Sequence, residues 1–210
     1  MLPFVLALCA TACGSSSSNG SASVPSPTPA AVAPPQTLGP IQTIVELTSG
    51  KSLFAVGGSA FALAFGQSIT VPQSHSFGGP RFTWLDDKGN AMPAAGHMAI
   101  FVKEFLGPPT FVAVVQYDPG NFLARSITTE GAEFVFDDGV ILDAGAKYWF
   151  LADTEDPKGR YITLAGADTY TGGDLYYGGP GAVNYSRVTF DGGPQQIDGN
   201  FRLSGKQILP

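Results

Sequence analysis

Across 210 residues the chain carries 17 acidic and 11 basic side chains, a formal net charge of −6 with the basic residues scattered singly. That balance argues against a nucleic-acid partner, which needs clustered Lys and Arg to displace counterions from phosphates. The 27 glycines and 17 prolines argue as firmly against an all-helical fold, because each disfavours a helix interior by about 1 to 3 kcal/mol.

The chain opens on an apolar run over 2–8, then Ala10-Thr11-Ala12-Cys13-Gly14, then serines at 15–18. Such a run is too short to cross a bilayer, which takes about 20 apolar residues, but it suits the core of a cleaved export signal. The order resembles a bacterial lipoprotein signal. That resemblance implies cleavage before Cys13, acylation of its sulfur and anchoring in a membrane; each buried methylene contributes roughly 0.8 kcal/mol. Two features depart from the pattern. Ala10 stands where leucine is commonest, and the first charged residue is Glu46, so no basic residue precedes the apolar run. An ordinary secretory signal ending in Ala10-Thr11-Ala12 would cut at the same bond. The cysteine directly after that bond, followed by Gly and Ser, favours lipidation. Gly14 rather than Asp after the acylated residue is similar to lipoproteins forwarded to an outer membrane. The expected location is the cell envelope, at the outer membrane or cell surface.

Residues 1–12 therefore read as the signal and 13–40 as lipidated cysteine plus flexible tether. From Gly14 to Pro40 there are six prolines, no charge and no hydrophobic period, so the segment cannot build a core. Residues 41–210 suffice for one domain with a sizeable core. Both cysteines, Cys9 and Cys13, lie upstream, so the domain has no internal disulfide.

Glycine and proline divide this domain so densely that its longest run free of both is 146–156. The intervening runs are rich in Val, Ile, Phe, Tyr, Trp and Thr, which favour strands. Strands are predicted over 41–47, 52–56, 67–71, 81–85, 97–105, 110–117, 122–128, 132–136, 147–152, 160–164, 174–177, 185–190 and 200–204. Strands at this spacing predict a β-sandwich or barrel. Met98, Ile100 and Val102 share one strand face, as do Phe134 and Phe136, and both sets are expected in the core. Trp84 and Trp149 are expected there too. Asp86-Asp87-Lys88-Gly89-Asn90 and Asp137-Asp138-Gly139 read as tight turns, as do the Gly-Gly-Pro sequences at 78–80, 178–180 and 192–194.

The order of motifs from Phe65 onward resembles secreted bacterial jelly-roll modules called choice-of-anchor domains. Gly66-Gln67-Ser68-Ile69-Thr70-Val71-Pro72 looks like their opening strand, and Asp118-Pro119-Gly120-Asn121-Phe122-Leu123-Ala124-Arg125-Ser126 like a characteristic connection. The stretches around Phe134-Val135-Phe136 and Leu142-Asp143-Ala144-Gly145-Ala146-Lys147-Tyr148 are similar to a strand pair, and Asp198-Gly199-Asn200-Phe201-Arg202 to their last strand. The resemblance implies a single jelly-roll-like antiparallel β-sandwich and carries no catalytic residue.

No Gly-x-Ser-x-Gly, His-Glu-x-x-His, phosphate loop or cysteine nucleophile occurs in the domain. His75 and His97 lack the surroundings of a base or metal pair. The aspartate pairs before glycine suit turns better than glycoside hydrolysis, which needs two carboxyls at a set separation. Asp153, Glu155 and Asp156, or Asp168 and Asp174, offer oxygen to a structural calcium, but without the regular spacing of a calcium loop. The expectation is no cofactor, with structural calcium as the alternative.

The glycine-rich stretch 167–185 gathers Tyr170, Asp174, Tyr176, Tyr177, Asn184 and Tyr185. Rings and polar groups on such a backbone suit sugar binding. The competing reading is that these rings plug the end of the sandwich. The expected function is a non-catalytic, lipid-anchored binding module, with polysaccharide as the first ligand class. The alternatives are a structural or protein-interaction component of the envelope or matrix and, behind it, a glycoside hydrolase.

Overall fold

The structure, a computed structural model, describes residues 36–48, 64–93, 96–107, 120–152, 170–178, 185–187 and 198–210. Among these residues there are twelve strands and no helix: β1 (Thr37–Leu47), β2 (Ala64–Thr70), β3 (Phe77–Trp84), β4 (Met98–Phe101), β5 (Phe122–Arg125), β6 (Thr128–Glu130), β7 (Glu133–Val135), β8 (Ile141–Leu142), β9 (Lys147–Ala152), β10 (Leu175–Gly178), β11 (Ser186–Arg187) and β12 (Phe201–Leu209). All belong to one compact unit, Gln36–Pro210.

Every pairing is antiparallel. One sheet runs β1-β12-β3-β7-β6, with β8 also paired to β3; the other runs β11-β10-β2-β9-β4-β5. Among these, β1, β2, β3, β4, β5, β7, β9 and β12 are eight principal strands. By rank in the chain their order is 1-8-3-6 in one sheet and 2-7-4-5 in the other. That is the double Greek key of a jelly roll. The described residues form an all-β, two-sheet sandwich, and the β10–β11 hairpin extends its second sheet beyond β2.

Alternation along the strands builds the core. Phe82 and Trp84 of β3, Phe134 of β7, and Phe201 and Leu203 of β12 meet Ile69 of β2, Met98 and Ile100 of β4, Tyr148 and Phe150 of β9, and Leu175 of β10. Phe82 is wholly buried at the centre. Its ring stacks on Phe150 at 5.5 Å and Phe201 at 5.8 Å, and meets Trp84 edge-on at 4.7 Å. Such aromatic pairs contribute about 0.5–1.5 kcal/mol beyond the area they bury.

The outer faces differ. On the first sheet, Glu46 pairs with Arg202 at 2.6 Å and Arg81 with Glu133 at 3.1 Å, a charged surface whose single pairs contribute little to stability. The second sheet carries an apolar cluster on its outside: Ala99, Phe101, Leu151 and Tyr176, covered by Phe105 and Tyr185. Phe101 and Phe105 stack at 4.5 Å.

Several expectations are corrected. Gly78-Gly79-Pro80 is no turn but the middle of β3, where Gly79 has φ +57° and the pairing with β12 shifts register. A left-handed residue inside a strand makes a bulge. The predicted strand 97–105 ends at Phe101, so Val102 is exposed rather than core, while Met98 and Ile100 are buried as expected. The strand predicted over 122–128 is two strands in different sheets. Thr37 to Pro40, assigned to the tether, lie in β1. The aspartate turns are as expected. Asp86 Oδ1 accepts from the amides of Lys88 and Asn90, and Asp137 Oδ1 from that of Gly139, each at 2.8 Å. Bonds from Asn90 hold the exposed Asp86 carboxyl below its ordinary range. The predicted strands 52–56, 110–117 and 160–164 lie outside the described residues, as does Cys13.

Candidate functional site

The stretch before β10 runs beside β2 in an irregular continuation of the sheet. Ser68 N donates to Asp174 O, Asp174 N to Ser68 Oγ, and Thr70 Oγ1 to Gly172 O. Gly173 permits this approach, because a Cβ there would overlap the Ser68 carbonyl. Tyr170 lies across the end of the sandwich, edge-on to Phe201 at 5.5 Å. Its hydroxyl accepts from Thr70 N and donates to Thr70 O. Burial pushes its pKa up to about 12. The carboxylate of Asp198, itself buried, accepts from Tyr170 N at 2.8 Å and Gln67 Nε2 at 3.0 Å. The last-strand motif thus anchors this loop.

The predicted ligand-binding residues divide. Tyr176 and Tyr185 are buried, Tyr170 is half-buried, and Tyr177 alone among the described tyrosines of this stretch is exposed. The Tyr185 hydroxyl donates to the Ala152 carbonyl. The Tyr176 and Tyr185 rings lie within the apolar cluster on the outer face of the second sheet, and Tyr170 packs partly buried against the core. Asn184 lies outside the described residues.

Asp174 and Tyr176 instead join residues that sequence reasoning placed elsewhere. On β9 the alternation sends Tyr148 and Phe150 inward, and Lys147 and Trp149 outward. Tyr176 of β10 and Trp149 are two strands apart, roughly 10 Å. Gly66 of β2 pairs with Tyr176 on one side and Leu151 on the other, and the Leu151 side chain packs into the space its missing Cβ leaves; Trp149 itself pairs with Ser68. The Trp149 indole donates to the Tyr176 hydroxyl at 3.0 Å, and that hydroxyl donates to Glu104 Oε1 at 2.8 Å. Arg187 Nε reaches the same oxygen at 2.6 Å. Lys147 Nζ stands 5.6 Å from the Trp149 ring centre and 3.6 Å from Asp174 Oδ2.

The electrostatics follow from these contacts. The bond from Arg187 holds Glu104 below the usual carboxylate range, and Glu104 in turn raises Arg187. Burial lifts Tyr176 to about 12. Trp149 was expected in the core, yet it is half-buried and edges this network. The available signal was Lys147 two residues before it, on the same strand face.

Among the described residues no three His, Cys, Asp or Glu side chains gather as a metal site, and no helix is long and apolar enough to cross a membrane. His75 is exposed, while His97 Nδ1 lies 3.1 Å from the Ser126 carbonyl. Compared with known proteins, the chain matches no family model, no curated protein and no solved structure.

Proposed function

We propose that this is an exported, lipid-anchored envelope protein whose jelly roll acts as a non-catalytic binding module for carbohydrate. The anchoring half of the reading rests on Cys13 and its flanking residues. Intact mass of the mature protein tests it: an N-terminus at Cys13 bearing acyl mass is expected, and an unmodified Cys13 overturns it.

The binding half rests on one observation. A half-buried indole, Trp149, lies on an outer sheet face with its N–H satisfied by Tyr176, among Lys147, Glu104, Arg187 and Asp174. Aromatic surface beside fixed polar groups suits a ring with apolar faces and hydroxyl edges. On a glycan array the full chain should be retained by at least one polysaccharide, and Trp149→Ala and Trp149→Phe should lose that retention. Undiminished binding by folded variants would refute the site.

A second reading, recognition of an envelope or matrix protein, draws on the exposed Val102, Leu106, Leu123 and Ile127 around β4 and β5. A partner recovered by crosslinking and lost in Leu123→Ser would favour it.

A further inference from the structure

Lys147 and Arg187, the cations beside Trp149 and Tyr176, are each rooted on a less exposed carboxylate. The Lys147 side chain is 36% exposed against 9% for Asp174, and Arg187 is 43% exposed against 30% for Glu104. In each pair the cation is the more exposed partner. Asp174 is held in place by its own backbone bonds to Ser68, and Glu104 by the Tyr176 hydroxyl, itself tied to Trp149. In each pair the surface therefore presents more of the cation than of the anion.

From this we infer that the Trp149 face takes a sugar ring bearing an anionic group, a carboxylate or a sulfate ester, with the ring against the indole and the anion at Lys147 or Arg187. The inference deepens the binding-site reading above and rests on it. Preorganised cations make charge-assisted hydrogen bonds without first ordering their side chains. The chain's net charge of −6 opposes a polyanion at long range, but that repulsion is screened beyond about 8 Å at physiological salt. Short-range contacts then decide the outcome.

Affinity electrophoresis of the full chain through gels containing polygalacturonate, dextran sulfate or neutral dextran tests this. Retardation by an anionic polymer and none by dextran is expected, weakening between about 0.05 and about 0.5 M salt as exposed charges are screened. The anionic arm that retards more strongly identifies the group. Lys147→Gln or Arg187→Gln, whichever removes the cation that holds the anion, should reduce affinity about tenfold, the loss of one charge-assisted hydrogen bond, while Lys147→Arg retains it. Thermal melts confirm that the variants fold. Salt-insensitive retardation by dextran as strong as by the polyanions overturns the anionic preference but leaves the binding site standing. Anionic retardation unchanged in both Gln variants overturns the placement at these cations. Retardation by none of the three overturns the anionic preference, and the binding-site reading then stands or falls on the glycan array.

Discussion

At the scale of single residues, the absence of a side chain does as much as its presence. Gly173 lies against the Ser68 carbonyl and Gly66 against Leu151 and the Phe150 carbonyl. At Gly173 backbone, which cannot swing aside, fills the space a Cβ would need; at Gly66 the Leu151 side chain shares it with the Phe150 carbonyl. Gly120, by contrast, has nothing within 4 Å of such an atom. Gly173→Ala is expected to lose about 3 kcal/mol or more through forced backbone movement, whereas Gly120→Ala should change stability by less than about 0.5 kcal/mol. Urea unfolding of the two variants beside the parent decides it. The sequence announced both positions as glycine in a glycine-rich chain. It did not say which was pressed against a neighbour, because that depends on a residue about 100 positions away.

The strands show what local pattern can and cannot express. Hydrophobic alternation marked β9 to the residue and placed Phe134, Met98 and Ile100 correctly. The same pattern read 122–128 as one strand, since nothing in an apolar run reveals where it changes sheets. The change occurs at Ser126 and Ile127. Ser126 N donates to Met98 O and Met98 N to Ser126 Oγ at 3.1 Å, and then Ile127 N turns to Val135 O. The Ser126 hydroxyl thus closes the second sheet just before the chain crosses to the first. Ser126→Ala would leave a buried amide without its acceptor and should cost about 1–3 kcal/mol. Hydrogen exchange at the Met98 amide should accelerate as well; an unaltered rate would show that this bond does not hold the corner. The strand predicted over 200–204 runs on to Leu209 as β12, with a register shift against β3 at Gly205.

For the molecule as a whole, buried tyrosines link stability to alkaline pH. Tyr170 and Tyr176 are held near pKa 12 by burial, while the unfolded chain ionises its tyrosines near 10. Above pH 10 the unfolded state therefore binds fewer protons than the native one, and unfolding becomes easier as pH rises. Stability should be flat up to about pH 9 and then fall between 10 and 12, by roughly 1.4 kcal/mol per pH unit for each of the two groups. Tyrosinate absorbance should show the late-ionising groups appearing together with unfolding, and Tyr176→Phe should lessen the slope. A slope unaffected by that substitution would assign the alkaline loss to other groups.

The same scale sets the limit of what could be read in advance. Composition and the spacing of glycine and proline already argue against an all-helical fold and for short strands, since the longest run free of both is 146–156. The alternating apolar positions name Met98, Ile100, Phe134 and Phe136 in the core. Which outer face would be charged and which apolar, and that Trp149 would look outward beside Lys147, Glu104, Arg187 and Asp174, was settled only by folding. Strand periodicity states that two faces exist but not what lies over each. That is decided by the register between distant strands and by the loops carrying Phe105 and Tyr185 across the second sheet.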